Sequence, residues 1–190
     1  MRVMDELQRP AWPYTIGAVG GAVFAVGALL LLYLVAASSR SDALAKSAFV
    51  LLAGGGTLLG VGWAGMFKYG HGGFGSIAGS FVVAIVIVYM YMNRGDADVV
   101  FFGGNLLLGS LALFALGHIF VNATAVRVTS SVALISLAIE FAAWNRHWHL
   151  SESLDKLLGA VALLGLALTG VALALALPPM RREDLSQSKL

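Results

Sequence analysis

The sequence predicts an all-α membrane protein, a bundle of six transmembrane helices, on three observations. The 190 residues are 59% hydrophobic and 12% charged, with a mean hydropathy of +0.86, an apolar share well above that of a water-soluble domain. Six apolar runs use up most of the length, each close to the roughly 20 residues that a helix needs to cross about 30 Å of hydrocarbon. Each run is bounded by charge, proline, glycine or a polar cluster, where backbone groups can meet water.

The runs are Tyr14 to Ala37, Ala43 to Phe67, Gly75 to Met92, Val99 to Val121, Val128 to Trp144 and Leu154 to Leu177. Val35-Ala36-Ala37 resembles a signal cleavage site, but the apolar core before it is longer than the roughly 7–15 residues of a signal. Asp5 and Glu6 accompany Arg2 and Arg9 ahead of it, so it reads as a retained first helix. The connections are short, so residues 1–190 form one domain with tails of about 1–13 and 178–190. Thr129, Ser130, Ser131, Ser136 and Glu140 fall inside the fifth run; such a helix belongs against the bundle interior or a wet cavity. Pro178-Pro179 should stop the sixth helix and leave Arg181 and Arg182 at the surface favoured by the positive-inside rule. A slight excess of Lys and Arg on the side of the termini agrees, placing both ends in the cytoplasm and the chain in a plasma or inner membrane.

Several function classes drop out. Without cysteine there are no disulfides or thiolate metal sites. A net charge of +2, with no basic stripe, gives no support to nucleic-acid binding. No HExxH, GxSxG, P-loop or carboxylate pair occurs, so catalysis is not indicated and neither a metal nor a cofactor is expected.

The candidates for function are therefore polar residues inside spans. Glu140 is the one acid well within an apolar run; such acids mark ion or substrate paths, although this one could also reach the interface and pair with Arg146 or His147. His118 could hydrogen-bond between helices, relay a proton, ligate a haem or simply pack. Asn105 suits an interhelical hydrogen bond, Ser130 and Ser131 offer hydroxyls to a path, and His147 and His149 read as a solvated interfacial cluster. The pairs Gly17/Gly21, Gly56/Gly60 and Gly75/Gly79 each put two glycines on one helix face, for packing within the bundle or between protomers.

Ala64-Gly65-Met66-Phe67-Lys68-Tyr69-Gly70-His71-Gly72-Gly73-Phe74-Gly75 resembles a pattern of the acetate uptake transporters, also called succinate-acetate permeases: A-G-M-[WLF]-E-[FY]-x-x-G-N-T-F-G, from helix two into helix three. Here lysine stands for the glutamate, Asn-Thr is lost and the stretch is one residue shorter. Arg9-Pro10-Ala11-Trp12-Pro13-Tyr14 resembles the family's Asn-Pro-Ala-Pro-Leu-Gly opening with an inserted tryptophan, and Asn145 matches an Asn that commonly ends its fifth helix. The resemblance implies a narrow apolar constriction, carried here by Leu134, by Val19 in place of a phenylalanine and by Val82 in place of a tyrosine, with Phe81 beside it. It also implies homo-oligomers of separate pores, hexamers in that family.

Together these readings give a channel or secondary transporter for a small solute, foremost acetate or another short monocarboxylate. Val19, Phe81, Val82 and Leu134 would form its waist, Asn105, Ser130 and Ser131 would supply hydrogen bonds, and Glu140 would couple a proton. The alternative is a non-catalytic membrane subunit that anchors a larger complex or holds a haem between His118 and a partner such as His71.

Overall fold

Proline opens the first helix and is absorbed by the last. The computed structural model describes residues 10–37, 41–67, 73–93, 97–145 and 150–187. In α1 (Trp12–Ala36), Pro13 sits in the first turn, where its missing N–H is not needed. In α2 (Asp42–Phe67), the Ser41 hydroxyl accepts the Leu44 N–H at 3.4 Å and Asp42 lies in the first turn, a negative charge at the positive end of the helix dipole. α3 (Phe74–Met92) starts from extended Gly73 and ends where the Asn93 side chain donates to the Tyr89 carbonyl at 2.9 Å. α4 spans Ala97–Ile119, α5 Thr124–Asn145 and α6 Glu152–Gln187. Ser151 starts α6 by accepting the Leu154 N–H on its hydroxyl at 3.3 Å.

Among the described residues there is no strand, and five helices, all but α4, are long and apolar enough to cross a membrane. α4 has 23 residues, and its apolar described part is Gly104–Ile119. Large apolar side chains face outward, Val50 at 66%, Ile85 at 65% and Leu175 at 70% exposure, a surface that suits lipid and not water.

Two helix limits differ from the sequence-based expectation by four residues or more. α5 begins four residues before Val128, taking in Arg127. Arg127 Nε donates to the Val121 carbonyl at 2.8 Å and Nη2 to Asn122 Oδ1 at 3.1 Å. The guanidinium thus folds back onto the turn between α4 and α5, where the Val121 carbonyl also accepts the Ala123 N–H at 2.8 Å, instead of interrupting the next helix. α6 continues through Pro178 and Pro179 to Gln187, so these prolines do not stop it. They remove the donors that the Ala174 and Leu175 carbonyls would have used, a loss that a helix leaving the bilayer can pass to water.

Each helix packs on its neighbours in sequence, and α6 returns to α1, closing a ring. Chain direction alternates, so the α1 start, α2 end, α3 start, α4 end and α5 start share one face of the ring. Glycine makes most seams close. A β-carbon on Gly62 would stand 2.7 Å from the Gly17 Cα, and one on Gly170 would stand 2.5 Å from the Gly21 carbonyl oxygen. Likewise Gly56 lies against the Ser80 carbonyl, Gly60 under the Phe81 ring and Gly79 against Leu113. The glycine pairs singled out in the sequence therefore pack within the bundle.

Candidate functional site

The ring is filled along its axis by side chains from opposite walls. Phe24 of α1 stacks on Phe114 of α4 with ring centroids 4.3 Å apart and planes 14° apart. One turn further along α4, the His118 ring lies 4.2 Å from Phe114. Both phenylalanines, His118 and Trp63 of α2 have no exposed surface.

The indole N–H of Trp63 donates to His118 Nε2 at 3.0 Å, and His118 Nδ1 lies 2.7 Å from the Phe114 carbonyl oxygen. An indole only donates and a carbonyl only accepts, so these partners fix the neutral tautomer with hydrogen on Nδ1 and the lone pair on Nε2. Both ring nitrogens are engaged. A haem iron would have to take the lone pair that Trp63 holds, so the residues around His118 do not fit a haem ligand. His71, its suggested partner, lies outside the described residues.

The backbone brings α3 close to this layer. Gly75 and Gly117 meet so tightly that a β-carbon on Gly117 would collide with the Gly75 carbonyl. Beside that crossing, the buried Ser76 hydroxyl donates to the Gly117 carbonyl at 2.7 Å, and the Ser80 hydroxyl to the Ser76 carbonyl at 2.8 Å.

A second polar cluster joins α5 to α6. The Thr169 hydroxyl lies 2.8 Å from the Gly165 carbonyl, 3.0 Å from the Thr129 hydroxyl and 3.3 Å from that of Ser130. Thr129 in turn donates to the Ala125 carbonyl at 2.8 Å. With Ser130 donating to Thr169 and Thr169 to Gly165, every proton in the cluster has an acceptor. Ser130 is buried and Ser131 half-buried.

Towards the other face of the ring, half-buried Glu140 leans on α6, where a β-carbon on Gly159 would meet its Oε1 at 3.2 Å. Asp155 stands one turn before that glycine. Asn105 does make an interhelical hydrogen bond, accepting from Asn145 Nδ2 at 2.9 Å; the same Nδ2 reaches the Phe141 carbonyl at 2.8 Å. Lys68, Arg146, His147 and His149 lie outside the described residues.

The four residues expected at a waist are not brought to one place. Val19 is 49% exposed. Phe81 covers Gly60 at the α2–α3 seam, and Leu134 is half-buried against the core. Val82 lines an outward apolar groove of about 310 Å³ between α3 and α4, with Gly75, Gly79, Leu113, Leu116 and Phe120. The axis is occupied instead by Phe24, Trp63, Phe114 and His118, of which only His118 stood out in the sequence. Trp63 carried a signal: an indole N–H deep in a span needs an acceptor that lipid cannot offer. Among the described residues no group of three His, Cys, Asp or Glu could hold a metal ion. The chain matches no family model, no curated protein and no solved structure.

Proposed function

We propose that this chain is a six-span membrane transporter for a small solute, foremost acetate or another short monocarboxylate, in a conformation closed across the ring axis. One observation carries the reading. The helices form a closed ring in which α6 packs on α1, and the axis is stopped by side chains from opposite walls, Phe24 meeting Phe114. Rotamer changes with small helix shifts would clear such a stop, whereas a central helix would have to leave. A passing carboxylate would exchange part of its hydration for hydroxyls such as those of Ser130 and Thr169, which would have to turn to it from their present acceptors. Glu140, half in the seam and half out, would carry a proton alongside the anion. The resemblance to acetate uptake transporters supports the same solute class.

Uptake of labelled acetate into proteoliposomes tests this. Flux above that of empty vesicles, with or without a pH gradient, is the expected result, and its absence removes the proposal. A second reading, a non-catalytic membrane anchor, draws on the outward groove between α3 and α4, which a partner's apolar side chains could fill. Stoichiometric copurification of an unlike subunit would favour it.

A further inference from the structure

We infer that the Trp63–His118 hydrogen bond is a latch that holds the ring axis closed at the face where α4 ends. This rests on the transport reading for its purpose, though not for its geometry.

Trp63 and His118 belong to α2 and α4, which are not ring neighbours; α3 lies between them. Their bond, 3.0 Å long and fully buried, therefore crosses the ring interior instead of stitching a seam. Helix backbones that begin to separate at this level leave an indole donor and an imidazole acceptor unpaired until water follows into the axis, since neither lipid nor packed side chains can replace the partner. The bond is also directional. The Phe114 carbonyl, accepting from Nδ1, fixes which nitrogen faces Trp63, so the ring cannot turn over without losing both contacts. Phe114 thereby ties the polar latch to the apolar stop below it, since its backbone holds His118 and its ring stacks on Phe24. The close Gly75–Gly117 crossing holds the adjacent turn of α4 against α3, giving the latch a fixed base.

The natural chain has no cysteine, so a single introduced thiol reports on access to the axis. Ser110, 2% exposed, lies one turn beyond Phe114 on the same face of α4, and Ser110→Cys changes little volume. The experiment measures the rate at which a water-soluble maleimide labels this thiol in the full chain in proteoliposomes, alone and combined with His118→Phe, Trp63→Phe or His118→Gln. Glutamine can offer an oxygen where Nε2 stood; phenylalanine cannot.

The Phe variants are expected to label about tenfold faster than the parent, equivalent to ~1.4 kcal/mol in the closed–open equilibrium; His118→Gln should stay near the parental rate. Equal rates in the parent and both Phe variants would overturn the latch. So would His118→Gln labelling as fast as His118→Phe, since ring volume would then be the cause. If His118→Phe does not fold, Trp63→Phe against His118→Gln makes the same comparison. Acetate flux in the parent with unresponsive labelling sinks the latch alone, and responsive labelling without flux sinks the transport reading while the latch stands.

Discussion

Where α4 ends, the polar groups inside the ring are buried and paired: His118 with Trp63 and the Phe114 carbonyl, Ser76 with the Gly117 carbonyl. Where α4 begins, Asn105, Asn145 and Glu140 are half-buried or exposed, and the Asn105–Asn145 bridge is made at the surface. The backbone differs in the same direction. At the first end both the α3–α4 and the α1–α2 seams close, by the Gly75–Gly117 and Gly17–Gly62 approaches; at the second, α1 and α2 still meet closely, a β-carbon on Gly27 standing 2.8 Å from the Leu52 nitrogen, but beside α4 the packing is looser, Gly104 having only the Trp144 ring edge at 3.8 Å to meet. Close backbones and satisfied polar atoms go together because a polar group shut away from water is tolerable only where its partner cannot drift. One end is thus built to hold a single arrangement, and the other keeps its polar groups within reach of water.

If that contrast is right, substitutions should rank by end. Phe114→Ala should have the largest effect, because the ring fills the axis against both Phe24 and His118. Its removal leaves a void and loosens the residue whose backbone orients His118, with an expected loss of about 3–5 kcal/mol in thermal unfolding in detergent. A loss below about 1 kcal/mol would mean that the axis collapses readily and is no fixed stop. Next, Gly117→Ala must push α3 from α4, since the β-carbon meets the Gly75 carbonyl, a backbone atom with nowhere to turn. About 3 kcal/mol is expected, with Gly109→Ala as the control, as nothing lies within 4 Å of a β-carbon there. Equal melting of the two variants would break the link between close approach and rigidity.

The sequence carried the helix count, the positions of the helices and the inward turn of the Ser130 and Ser136 hydroxyls on α5 because each rests on a local rule: apolar length, breakers and the cost of hydroxyls in lipid. It did not carry the ring's contents. Phe24 and Phe114 read like any apolar residues on a span, and only their meeting across the axis gives them a role. Arg127 is a cation inside a helix and not at its boundary, because its side chain reaches back six residues to Val121. Pro178 and Pro179 lie inside α6 for a related reason: the penalty for proline in a helix depends on whether water can reach the freed carbonyls. Val19 and Val82 were placed by resemblance, which transfers positions along a chain but not the face of a helix that the packing turns inward.

A smaller effect separates the hydrogen bonds of the two ends. Ser76→Ala leaves the Gly117 carbonyl without its buried donor, so about 1 kcal/mol should be lost. Asn145→Ala removes the bridge to Asn105 at a site open to solvent or headgroups, where Asn105 Oδ1 finds another donor. Interhelical hydrogen bonds in membranes average about 0.6 kcal/mol, and an exposed one should lie at or below that. The informative measurement is the difference between the two variants under one detergent condition. If Asn145→Ala proves the more damaging, the open end is held by its amides, and the division between a fixed end and an adaptable one is reversed: motion would then have to begin at the glycine-packed face, with Trp63 and His118 the first to part.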